Sequence, residues 1–147
     1  MVVVKFNSLP VRMAKSEQQK LKERLDRVFS QYIRLRDSKR GYCKCITCGD
    51  VRFWKDKMHC GHYISRGILI TRFDENNCNA QCESCNLWKD KNEMQLSYRE
   101  NLCKKIGDGF VRALEQIRHK VFKVDENWYR EKIEYYQKKV NKILDKL

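Results

Sequence analysis

The sequence predicts an α+β fold, a zinc-stabilised core of short strands flanked by N- and C-terminal α-helices. Three observations carry this. Two C-x-x-C pairs, Cys45–Cys48 and Cys82–Cys85, stand 33 residues apart, and four thiolates so arranged can bind one tetrahedral structural zinc, each pair closing a tight knuckle. Apolar residues recur at helical spacing on both sides of that stretch, and inside it short β-branched and aromatic runs read as strands. A chain of 147 residues suits one domain with a real core. It divides into a basic N-terminal segment and helix (1–44), the cysteine-bounded core (45–91) and a helical extension (92–147).

In chain order, Ser16 is a good N-cap for a helix to about Arg36. Leu21, Leu25, Val28, Phe29, Tyr32, Ile33 and Leu35 form its apolar stripe. Asp37 to Gly41 then breaks the pattern. Val51–Lys55 and Met58–Ile64, joined by Lys55-Asp-Lys57, read as a β-hairpin. Ser65 to Asn79 reads as irregular. A short helix starts at Asn86, Asn92 caps another that ends at Gly107, and a further helix begins near Asp108. From the N-cap Asp125, the residues Tyr129, Ile133, Tyr136, Val140, Ile143 and Leu147 form a heptad seam. That seam suits packing onto the first helix, with a homodimer through residues 125–147 as the alternative.

Lys and Arg outnumber Asp and Glu 32 to 19, a net charge of +13, and residues 1–44 alone carry 12 basic against 4 acidic side chains. Such a field favours polyanions, nucleic acid above all, over neutral small molecules. The start, Met1-Val-Val-Val-Lys5, is too short an apolar run for a signal peptide, and no stretch is apolar enough to cross a membrane. Eight cysteines in such a chain read as reduced and metal-binding in a cytoplasmic setting rather than as a disulfide scaffold. Cys43, Cys60, Cys78 and Cys103, outside the two pairs, read as small buried hydrophobes.

A zinc clamping both knuckles would draw His62 and Asn86 together although 24 residues separate them. Strands followed by a helix, with a histidine on the strand and an amide at the helix, are the arrangement of the ββα-metal (HNH-like) nucleases. In such a site a neutral imidazole takes a proton from the attacking water. A second cation, Mg2+ or Mn2+, offsets charge building on the phosphate.

The residues Cys45-Ile-Thr-Cys48-Gly, Gly61-His62-Tyr63, Leu69 to Phe73, Asn77, Gln81-Cys82, Cys85-Asn86, Lys89, Asn92, Tyr98 and Ile106-Gly107 resemble the NinG (Rap) recombination family of lambdoid phages. Its members resolve or cleave branched DNA. The resemblance runs from about Tyr32 to the C-terminus, and a looser one extends to phage endonuclease VII, a zinc-bearing junction resolvase. It implies His62 as general base, Asn77 as the middle asparagine that fixes the loop and the imidazole, and Asn86 as a ligand of the catalytic ion. Where HNH enzymes carry Asp or His before the base, this chain has Gly61. His59, Asp74, Glu75 and Glu83 are the candidates to complete that site, with His59 in the place where relatives have Asp, and Asn79 stands where relatives often have His.

Arg66, Arg72 and Lys89 suit phosphate contacts rather than catalysis, because arginine does not give up its proton. The expected function is therefore a metal-dependent endonuclease acting on branched or Holliday-junction-like DNA in phage recombination. The alternative is a zinc-stabilised DNA-binding protein without catalysis. An RNA-binding role is weakest, since no aromatic RNA-binding signature is present.

Overall fold

The structure, a computed structural model, describes residues 13–147, so the reading of Met1 to Arg12 lies outside the described residues. It is a mixed α+β fold. Helix α1 spans Glu17–Arg36, and Ser16 caps it by accepting the Gln19 amide at 3.2 Å. Its apolar stripe packs against the C-terminal helix α5 (Glu126–Leu144), whose N-cap Asp125 accepts the Trp128 amide at 2.8 Å. Leu21, Leu25, Phe29 and Ile33 are buried with Tyr129, Ile133, Tyr136 and Val140, each large apolar side chain contributing about 1.5–3 kcal/mol. Phe29 meets the Tyr136 ring edge-on with centroids 4.9 Å apart. The seam from Tyr129 to Val140 is thus covered by α1 within one chain, while Leu147 at its end stays exposed.

Glu75 locks this helix pair to the loop ahead of the last strand. Its carboxylate accepts from Tyr32 Oη at 2.8 Å, Tyr136 Oη at 3.2 Å and Lys139 Nζ at 3.2 Å. Burial opposes its ionisation, but those hydrogen bonds and the Lys139 charge outweigh burial and hold the carboxyl below its ordinary value of 4.5. A carboxyl depressed in the folded state stabilises fully above its unfolded value and loses that contribution as pH falls through the folded one. Wild type is accordingly expected to lose its stability advantage over Glu75→Gln as pH falls below the ordinary 4.5 and through the lowered folded value. Urea melts of both proteins across that range check this, and parallel pH profiles would exclude Glu75 as the source.

The strands depart from the expected hairpin. β1 (Ser38–Lys39), β2 (Tyr42–Lys44) and β3 (Val51–Phe53) form one antiparallel meander in the order β1-β2-β3. The two-residue turn Arg40-Gly41 has positive φ at both positions, 51° and 82°, the geometry that matches the twist of a tight hairpin. β3 turns back on β2, pairing Cys43 with Arg52, because the first cysteine knuckle is itself the turn between them. β4 (Met58–His62) instead pairs with β5 (Cys78–Cys82), with Met58 opposite Cys82 and His62 opposite Cys78. So Lys55-Asp-Lys57, with Lys57 at φ 49°, passes the chain from one sheet to the other and makes no hairpin. β5 begins inside the stretch read as irregular, which also holds the single-turn helix α2 (Leu69–Arg72).

After β5 comes one π-helical turn, Ser84–Trp88, and then α3 (Lys91–Ile106) and α4 (Asp108–Ile117). The cap of α3 is Asp90, not Asn92. Its Oδ1 accepts the amides of Asn92 and Glu93 at 2.9 and 3.0 Å. Gly107, at φ 93°, ends α3 as expected. A second apolar cluster joins Tyr63 and Ile64 to Tyr98, Leu102, Val111 and Leu114. The β4–β5 pair therefore lies between α1 on one face and α3 on the other. No described helix is long and apolar enough to cross a membrane.

Candidate metal centre and active-site cleft

The four knuckle thiols converge, all their sulfurs lying within 4.8 Å of one another. The first knuckle closes through Cys45 N to Asp50 O at 2.8 Å and Gly49 N to Cys45 O at 2.9 Å, with Gly49 at φ 78°. The Cys82 amide donates to Cys45 Sγ at 3.3 Å, joining the two knuckles. Cys48 Sγ and Cys82 Sγ are 3.7 Å apart, close to the separation of about 3.8 Å that tetrahedral thiolates have when each is about 2.3 Å from zinc. Burial raises the thiols of Cys82 and Cys85, whereas at Cys45 backbone amides outweigh burial and lower it. Crowded thiols with opposed protonation preferences suit a divalent cation that neutralises them together, and this donor set fits zinc. Exposed Lys89 stands beside the cluster, its ammonium raised above the ordinary value by Cys85 and Cys48.

His62, His59 and Asn86 line one cleft of about 410 Å3, together with Asp26, Cys60 and Arg66. His62 Nε2 lies 2.9 Å from the carbonyl oxygen of Arg72. A carbonyl only accepts, so in the neutral ring the proton sits on Nε2 and the Nδ1 lone pair is left free. Burial lowers the imidazole below its ordinary value, outweighing the Arg72 carbonyl that favours protonation. The result is a neutral ring of fixed tautomer. Nearby, Asn86 Nδ2 is 3.1 Å from His59 Nδ1, and the Asn86 amide oxygen has no hydrogen bond among the described residues.

Asn77 makes its side-chain hydrogen bonds to backbone atoms of Ile64 and Thr71 rather than to the imidazole. At 0% exposure it binds the loop from within, Oδ1 accepting the Ile64 amide at 2.7 Å and Nδ2 donating to Ile64 O and Thr71 O at 3.0 and 2.9 Å. It thereby fixes the segment whose Arg72 carbonyl holds His62. Arg72, expected from the sequence to meet phosphate, is engaged by a carboxylate within the protein. Its side chain is 13% exposed and its Nε and Nη2 grip Asp26 at 2.9 and 2.6 Å. Arg66 shares Asp26 at 3.2 Å but stays open to solvent on the cleft rim, with 61% of its side chain exposed.

None of the carboxylates considered for the cation site reaches the cleft. Glu75 is held by Tyr32, Tyr136 and Lys139, Asp74 Oδ1 accepts the Asn76 amide, and Glu83 does not line the cleft. Asp26 does line it, but is spent on the two arginines. Asn79 is buried away from it, accepting Lys105 Nζ at 2.6 Å and donating to Tyr98 Oη at 3.2 Å.

The glycine before His62 has a steric cause. A Cβ at Gly61 would fall 2.3 Å from Gln81 Oε1 and 2.7 Å from Gln81 Cβ, because the Gln81 side chain, tied to Thr47 Oγ1 at 2.7 Å, fills that side of the sheet. Gly61→Ala is expected to cost about 1–3 kcal/mol through overpacking. Combining it with Gln81→Gly should restore most of the loss in a denaturant midpoint. An additive double variant would show that Gln81 is not the obstacle.

Sequence reasoning missed Asp26, the Arg72 carbonyl and the proximity of Cys60 and Cys78 to His62, and gave Tyr98 no structural role. Tyr98 is buried and donates to Gly61 O at 2.8 Å, fixing β4 against α3. Asp26 had one signal, an acid beside the apolar stripe of a predominantly basic helix.

Comparison with known proteins gives one positive result. A family model described as Bacteriophage Lambda NinG protein matches residues 8–146. No curated protein and no solved structure matches the chain.

Proposed function

Because this chain belongs to the bacteriophage lambda NinG family, we propose that it is a metal-dependent endonuclease that cleaves branched, Holliday-junction-like DNA during phage recombination. In this reading β4, β5 and the turn Ser84–Trp88 are an HNH-like ββα-metal core. The observation that carries it is the His62 imidazole, neutral and anchored at Nε2 by the Arg72 carbonyl at 2.9 Å, with Nδ1 free in a cleft shared with Asn86.

His62 Nδ1 takes the proton of a water as its oxygen attacks phosphorus in line with the leaving 3′ oxygen. Nε2 stays on Arg72 O, so the imidazolium that forms keeps its orientation. Asn77 and the Asp26–Arg72 pair act through that carbonyl, as positioning residues. Asn86 Oδ1 and the adjacent His59 would hold Mg2+ or Mn2+, a sparse donor set that suits an ion keeping water and phosphate oxygens as its other ligands. Such an ion supplies charge stabilisation at the phosphate and the leaving oxygen. Arg66 on the rim and Lys89 by the knuckle are placed to meet backbone phosphates. The chain's net charge of +13 makes binding steeply dependent on salt.

The test is cleavage of labelled four-way, forked and linear duplexes with Mg2+ or Mn2+. Metal-dependent nicking confined to the branched substrates is expected. Tight binding of all three with no product under either ion would leave instead a zinc-stabilised DNA-binding protein, the alternative that the carboxylate missing at Gly61 motivates.

A further inference from the structure

We propose that Cys60, His62 and Cys78 form a second metal site, selective for a thiophilic divalent cation such as Zn2+, whose occupancy withdraws the His62 imidazole from chemistry. The three side chains share one face of the β4–β5 pair. Cys60 and His62 are two residues apart on β4, and Cys78 is the direct cross-strand partner of His62. One ligand atom from each lies within 4.8 Å of the others. Cys78 is fully buried, but Cys60 and His62 line the cleft, which gives a cation a way in and leaves a fourth position for water.

Without metal, the Arg72 carbonyl receives both the His62 Nε2 proton at 2.9 Å and the Cys78 thiol at 3.6 Å. Binding replaces protons with metal. Both thiols release a proton to solvent, their sulfurs and one imidazole nitrogen bind the ion, and no atom changes oxidation state. Two thiolates and an imidazole prefer zinc-like ions to Mg2+ or Mn2+, which want oxygen. Whichever ring nitrogen coordinates, the other must carry the remaining proton, so no lone pair is left to act as a base. This last consequence rests on the reading of His62 as general base; the site itself does not.

Co2+ added to the full chain carrying one equivalent of Zn2+, enough for the four-thiolate knuckle alone, is the probe, since a given site binds Co2+ more weakly than Zn2+ and the knuckle zinc stays in place. A thiolate-to-cobalt charge-transfer band saturating at one equivalent is expected, with the His62 ring signals shifting in step by NMR. Cys60→Ser and Cys78→Ala should each abolish the band while retaining the knuckle zinc, which also reports that they fold. Absence of the band in wild type, or an undiminished band in both variants, overturns the site. For the catalytic consequence, excess Zn2+ should slow DNA cleavage by wild type and spare Cys60→Ser. Equal slowing of both would overturn that half alone, and a chain that cuts no DNA would still give the cobalt result.

Discussion

Under the proposed nuclease reading, His62→Ala is expected to lower the rate of DNA cleavage by a factor of roughly 10²–10⁴ and to leave DNA affinity near that of wild type. The size follows from the role, because removing a positioned base leaves water to lose its proton unaided. The unchanged affinity follows from the geometry, because His62 spends its one N–H on Arg72 O and carries no charge to offer a phosphate. The wild-type rate should also fall as pH drops through the imidazole's value, since only the neutral ring accepts a proton. That value lies below the ordinary 6.5 because burial disfavours the imidazolium, and a divalent cation at Asn86 would push it the same way. Single-turnover cleavage against pH, beside a binding isotherm for each protein, measures both. If the variant cuts as fast as its parent, the base is some other group.

Removing the zinc that the four knuckle thiols are suited to hold, by chelator or by Cys48→Ser, has the largest expected effect on structure. Cys48 is the one exposed cysteine of the four, so serine there deletes a ligand without opening the core. Structural zinc sites of this kind couple about 10–16 kcal/mol of binding to folding. Yet the loss should be local. The α1–α5 seam has helix-to-helix contacts of its own, Phe29 and Tyr32 against Tyr136, whereas the β2–β3 turn, the end of β5 and the Ser84–Trp88 turn are joined through the sulfurs. Hydrogen exchange should therefore accelerate by orders of magnitude at residues 45–50 and 82–89 and change little along α1 and α5. Uniform protection after zinc removal would show that the thiols hold the core without metal.

Much of this was legible in the sequence for definite reasons. Two tight cysteine pairs admit few readings, and the stripes Leu21–Leu35 and Tyr129–Val140 are long enough for their period to be unambiguous. β5 was not legible, because Cys78-Asn-Ala-Gln-Cys82 is buried on both faces and so lacks the alternation that marks a strand. Strand pairing was misread because a cysteine knuckle acts as a turn without the usual Asn-Gly signal. The gap at Gly61 was visible, but its cause, the Gln81 side chain packed where a Cβ would stand, depends on strand register. The Asp26–Arg72 grip joins residues 46 apart, and nothing local to either residue announces it.

The closure of α1 by α5 bears on how the protein is made. Tyr32 and Lys139, which meet at 3.4 Å, are 107 residues apart in the chain. On the ribosome, α1 emerges with its apolar stripe bare and waits for α5, which follows the whole cysteine-bounded core in the chain. Closing so long a loop costs only slowly growing entropy, so the delay is one of synthesis rather than of search. Glu75 accepts from Tyr32 and Tyr136 together, so the loop bearing the Arg72 carbonyl gains its last anchor only when α5 arrives. A nascent chain therefore carries its cysteines and His62 for some time before the cleft around them is set.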